Sequence, residues 1–176
     1  MRVQLRGLAG VGLVCGALVL AGCGSESVAG EAVGTPAGEP AFSPCDDIPD
    51  DALQAVGLDP ATESKDILGV KQPGWNLCRW NGSEHIMTVF ATTHTLDDVR
   101  SNERNTEFVP EVIGGREAFT YREVSDRDRE SCDVAIGSES GAVLIRVSYN
   151  FGDRPAEDPC QVALKSAQQL EPSVPR

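Results

Sequence analysis

The sequence predicts an α+β domain: an antiparallel sheet of about five to six strands with two or three helices packed on one face, held by two disulfides. Three observations lead there. Between residues 75 and 149, β-branched and aromatic runs alternate with turn-forming Asn-Gly and Gly-Gly pairs, which is the chemistry of hairpins. The C-terminal segment carries an apolar stripe at spacings of three and four, as a core-facing helix does. Cys45, Cys78, Cys132 and Cys160 are an even set spread through the same region.

The chain opens with Arg2 and Arg6, then a stretch from Gly7 to Gly22 without a charge. That stretch is shorter than the ~20 residues a membrane-spanning helix needs, and its glycines weaken a helix. Residues 1–22 therefore read as a removable export signal. Leu20-Ala21-Gly22-Cys23 resembles the lipobox of bacterial lipoproteins. The resemblance implies a lipidated Cys23 as the mature N-terminus, with the protein on the outer face of the cytoplasmic membrane. Residues 23–43, the lipidated Cys followed by Gly, Ser, Ala, Pro and Glu with one aromatic, are expected to be a flexible tether. Such a chain reaches roughly 25 Å. Residues 44–176 are then one α+β domain.

Within it, "PCDDIPDDALQAVGLDP" predicts a short helix over about 49–56, with Pro49 at its start and Gly57 and Pro60 at its stop. "GWNLCRWNGSEHIMTVFATT" predicts a hairpin turning at Asn81-Gly82. Cys78 and Trp80 share a face of its first strand, and the second strand is apolar on both faces. Thr95 and Asp98 form a capping-box pattern ahead of a helix over about 96–103. "EFVPEVIGGREAFTYREV", "SCDVAIG" and "GAVLIRVSYNF" predict four more strands. In the last, Val143, Ile145 and Val147 alternate with Leu144, Arg146 and Ser148, so one face is buried and the other partly wet. The closing helix begins at Asp158-Pro159 and lines up Cys160, Ala163, Leu164, Ala167 and Leu170.

Four cysteines allow three connectivities. Placement favours Cys132–Cys160, which staples the last helix to a strand, and leaves Cys45 for Cys78. An oxidising compartment fits this reading, and none of the four sits in a CxxC pair of the kind zinc needs.

Removal of the signal takes two Arg and no acid, leaving 13 Lys and Arg against 27 Asp and Glu, a net charge of −14. Acidity of that size excludes nucleic acid as a partner.

The chemistry-bearing residues form no catalytic constellation. His85 and His94 stand at opposite ends of one strand with odd spacing, so they point to opposite faces. "GSESG" has Glu139 where a nucleophile elbow needs Ser, and reads as a five-residue hairpin loop. "DRDRE" lacks the Gly and Glu of a calcium loop at the required positions. Asp46, Asp47, Asp50 and Asp51 complement helix N-termini. "NGS" at 81–83 matches a glycosylation acceptor in form, but the turn reading accounts for it. There is no phosphate loop or dinucleotide fingerprint, and no cofactor is expected. Trp75, Trp80, Phe119 and Tyr121 are the residues that would line a ligand pocket.

Taken together, "CDDIPDDALQAVGLDP", "CRWNG", "GGREAF", "SCDVAIG" and "CQVALKSAQQLEPSVP", behind a lipobox Cys, resemble the actinobacterial envelope lipoproteins of the domain-of-unknown-function family numbered 3558. The likeness covers about residues 43–175. It implies an architecture and a location, and supplies no catalytic residue. The resulting expectation is a membrane-anchored, non-enzymatic binding or accessory module, with an envelope protein, a lipid or a small ligand as its partner. The alternative is an envelope hydrolase with an unrecognised active site.

Overall fold

The computed structural model describes residues 38–150 and 157–176. The expected signal, Cys15, Cys23 and most of the tether lie outside the described residues. In chain order the elements are α1 (Pro44–Asp47), α2 (Asp50–Ala55), β1 (Leu58–Lys65), β2 (Trp75–Gly82), β3 (Ile86–Thr92), α3 (Leu96–Ser101), β4 (Asn105–Ile113), β5 (Arg116–Glu123), β6 (Ser131–Ser138), β7 (Gly141–Ser148) and α4 (Pro159–Leu170). The strands form one sheet in the order β1-β2-β3-β7-β6-β5-β4. Every pairing is antiparallel. Two meanders, β1 to β3 and β4 to β7, meet where β3 pairs with β7.

The described residues thus hold seven strands and four α-helices, more than the five to six and two or three expected. The strand missed in the sequence is β1, because Asp59-Pro60 reads as a stop. Pro60 is tolerated there because β1 is an edge strand whose ladder breaks between Asp59 and Ser64. The other edge, β4, carries Pro110 and a break between Thr106 and Val109. Both edges are thereby blunted against pairing with a second chain.

The β2–β3 hairpin forms, but its turn falls on Ser83 and Glu84, not on Asn81-Gly82. Asn81 pairs with Ile86 on one side and Asp59 on the other, and Gly82 donates its N–H to the His85 carbonyl. Gly82 answers to crowding instead. A Cβ there would sit 2.5 Å from the Gly57 carbonyl oxygen, a backbone atom that cannot turn aside. Gly82→Ala is expected to cost about 1–3 kcal/mol, read as a lower denaturant midpoint at unchanged slope. "GSESG" also closes more tightly than five residues, since Ser138 pairs directly with Gly141.

The helices cover both faces of the sheet rather than one. Trp80, Met87, Val89, Val134, Ile145 and Val147 point to the first face, under α1, α2 and α4. Ala163, Ala167 and Leu170 of α4 are wholly buried there. The Asp158 side chain caps α4 by accepting from the Cys160 N–H at 2.8 Å. Arg122, 3% exposed, donates to the Ser131 carbonyl and to Asp158, locking that cap to β5. Cys132–Cys160 staples α4 to β6, and Cys45–Cys78 ties α1 to β2. Phe42, the single aromatic of the expected tether, is buried, and Asn76 donates to the carbonyls of Pro40 and Phe42 at 2.9 Å each. The packed chain therefore begins by Pro40, ahead of residue 44, because a Phe side chain gains by leaving water.

The second face belongs to α3. Its capping box is complete: Thr95 Oγ1 accepts from the Asp98 N–H, and Asp98 accepts from the Thr95 N–H. Val99 and Leu96 pack on Phe119, Tyr121, Ala135, Ala142 and Leu144. This helix of six residues is too short to cover the whole face, and what it leaves open becomes a cavity.

Candidate functional site

The strand period builds this cavity. In the register, Asp133 of β6 lies directly opposite Arg146 of β7 on one side and Tyr121 of β5 on the other. All three therefore point to the second face, away from Cys132, Val134 and Ile145. Arg146 donates from Nε to both Asp133 oxygens, at 2.9 and 3.1 Å, and from Nη2 to Glu123 at 2.6 Å. Above this floor stands a cavity of about 450 Å³. Phe90 and Leu144 continue the floor; Trp75 and His94 form one wall; Asp98, Val99 and Ser101 of α3 form another. Trp75 meets Phe90 edge to face at 6.3 Å and leans against the His94 ring at 5.6 Å.

The electrostatics follow from burial. Asp133 is 1% exposed, and burial pushes its carboxyl up to about 6 while the Arg146 guanidinium pulls against that rise. Burial alone would lower Arg146, but Asp133 and Glu123 outweigh it and hold the guanidinium charged. Tyr121 is raised far above the usual phenol value by burial and by the Asp133 charge, so its hydroxyl stays neutral. Asp98 is held below the carboxylate range by its bonds to Thr95. The cavity thus offers three carboxylates against one guanidinium that is already committed to two of them. With Trp75, Phe90 and Tyr121 beside them, this lining suits a ligand with an apolar body and a cationic head.

Of the four aromatics expected to line a pocket, the structure brings two together here, Trp75 and Tyr121. Trp80 is wholly buried on the opposite face, in the main core. Phe119 shares the second face but is 1% exposed, covered by the Arg100 guanidinium 4.5 Å above its ring. The two histidines lie at the two ends of β3. His94 joins the cavity, with Nδ1 4.0 Å from Asp98, beyond hydrogen-bond reach. His85 sits at the β2–β3 turn with Nε2 buried and without a partner among the described residues, and burial lowers its basicity.

Asp126 of "DRDRE" turns inward, accepting from the N–H groups of Glu130 and Ser131 and from the Ser131 hydroxyl, and Arg129 donates to both oxygens of Glu107 on β4, so these charges are spent on the loop and its neighbours. Cys45, Glu63 and Cys78 come close enough to suggest a metal cluster, but both sulfurs are spent in the disulfide. The sequence does not assign Asp133, Glu123, Arg146, Phe90 or Asp98 to a pocket: Asp98 reads there only as a helix cap and Arg146 only as part of a partly wet strand face. The signal was present for two of them: "CDVAIG" and "GAVLIRV" each place one charge on an otherwise apolar strand, at positions of the same face.

Among the described residues, no helix is long and apolar enough to cross a membrane. No curated protein and no solved structure matches the chain. Residues 18–173 match the model of a family described as a protein of unknown function, DUF3558, a span that includes every strand and helix described above. The chain belongs to the DUF3558 family.

Proposed function

We propose that the protein is a lipid-anchored module outside the cytoplasmic membrane, of the actinobacterial envelope type, that holds a small ligand in the α3 cavity. The observation that carries the binding reading is the cavity floor. An ion pair and a neutral phenol are buried beneath an aromatic wall. Fixed polar groups among apolar ones orient a ligand. The hydrolase alternative needs His94 hydrogen-bonded to an acid, and at 4.0 Å its Nδ1 is too far from Asp98 for that bond. The anchor reading rests on the lipobox likeness at Cys23, and a net charge of −12 speaks against nucleic acid.

Two experiments test these readings. Cys23→Ser is expected to move the protein from the membrane fraction to the soluble one; retention on membranes would refute the anchor. For the cavity, the full-length protein is purified gently from its own membranes and examined by native mass spectrometry. A bound small molecule is expected in the unsubstituted protein and absent from Trp75→Ala. A bound molecule kept by Trp75→Ala would place the site elsewhere, and none in either protein would refute the ligand reading.

A further inference from the structure

The connection between β1 and β2 presents apolar side chains to solvent that the fold itself does not use. Leu68 is 98% exposed, Ile67 53% and Val70 59%. These three residues and Gly69 form a tight turn, with the Val70 N–H donating to the Ile67 carbonyl at 2.9 Å. Its central residues, Leu68 and Gly69, have φ of 54° and 76°. Two positive φ values mark a type I′ turn, whose first central position belongs by preference to Asn, Asp or Gly. A Leu there strains its backbone and packs on nothing. Neither local conformation nor the core explains it, which leaves a contact outside the molecule.

The flanks indicate which contact. The sequence has only three lysines, and two of them, Lys65 and Lys71, bracket the turn in "KDILGVK", where Lys65 pairs with Asp46 at 3.1 Å and Lys71 with Glu39 at 3.3 Å, so the shoulders are polar and charge-balanced. Apolar residues at a tip with lysines at its shoulders match the water–lipid boundary, where the tip enters the acyl region and the ammonium groups stay among headgroups. The loop also lies where the N-terminal segment enters the fold, since Lys71 pairs with Glu39 at 3.3 Å. From Cys23 to Glu39 is 16 residues, so an anchor at Cys23 keeps this loop within reach of the bilayer.

We propose that the Ile67–Val70 turn inserts into the membrane interface as a second point of attachment. The proposal rests on the lipid-anchor reading. A single anchored residue does not by itself fix which side of the domain faces the lipid. A second contact, made at the high local concentration the tether imposes, fixes its orientation. With the turn in the bilayer, the β1–β2 corner faces the lipid.

The test uses the full-length lipidated protein and its Leu68→Trp variant, reconstituted into vesicles of phosphatidylcholine and phosphatidylglycerol with or without brominated acyl chains. Leu68 itself is 98% exposed, so the variant retains the fold. The fluorescence that Leu68→Trp adds over the unsubstituted protein is expected to shift to the blue and to lose more than half its intensity in brominated vesicles. If the variant sediments with vesicles but the added fluorescence is unquenched, insertion is refuted while the anchor stands; the same result is expected if the turn docks a protein. If the chain does not sediment with vesicles, the anchor fails and the insertion built on it fails too.

Discussion

Replacing Arg146 with Leu is expected to destabilise the fold by about 3–5 kcal/mol near neutral pH. Removing one partner of a buried ion pair leaves the other charge in low dielectric without compensation. Here the orphan is Asp133, 1% exposed, both of whose oxygens accept from Arg146 Nε. The effect has a pH signature. Asp133 titrates at about 6 in the folded protein, against ~3.9 in an unfolded chain. The folded state therefore holds this proton more tightly. The stability that Asp133 contributes is full below about pH 4 and is lost as pH rises through about 6. Without Arg146 the folded value climbs further and the loss extends to higher pH. Chemical denaturation of both proteins should show a larger deficit at pH 8 than at pH 5. Adding Asp133→Asn to Arg146→Leu should recover part of the loss, since it removes the orphaned charge. A pH-independent loss under about 1 kcal/mol would mean that the pair is not buried as described.

The second large effect is expected from the Cys132–Cys160 bridge. Cross-linking residues 28 apart restricts the unfolded chain by about 3–4 kcal/mol in the loop-entropy account. Cys132→Ala with Cys160→Ala should cost that amount, measured as a lower midpoint of reversible unfolding. The cost should fall on α4 first, because the bridge joins its first turn to the core face of β6. Faster amide exchange at Ala163, Ala167 and Leu170 is the local readout. Unfolding within 1 kcal/mol of the parent would show that the Arg122–Asp158 contact and the buried stripe alone hold α4.

Local chemistry explains which features were legible in the sequence. Thr95 and Asp98 announce α3 because a capping box is satisfied within four residues. Asp158-Pro159 and the stripe from Cys160 to Leu170 announce α4 for the same reason, and placing Cys160 on that stripe points to its partner. Gly114-Gly115 marks a hairpin because both residues take positive φ. What failed depended on distant chain. Pro60 argues against a strand only if the strand is internal, and nothing near it in sequence says that β1 lies at the edge. Gly82 looks like a turn residue, but its role comes from Gly57, twenty-five residues earlier. Trp80 and Trp75 are alike in composition and opposite in fate, because odd spacing sends one to the core and the other to the cavity. That α3 takes the second face follows from the β3–β7 pairing, a contact between residues fifty or more apart. The cavity inherits that uncertainty, since it exists only because α3 is there and is short.

The α3 cavity is proposed to take a ligand with an apolar body and a cationic head. Benzyltrimethylammonium is the simplest probe of that description. Titrated into the full-length protein, it is expected to give a saturable change in tryptophan fluorescence, carried by Trp75 because Trp80 is wholly buried on the other face. Trp75→Ala should abolish the change, and Glu123→Gln should weaken binding. A response that does not saturate, or one that persists unchanged in Trp75→Ala, would overturn this ligand site.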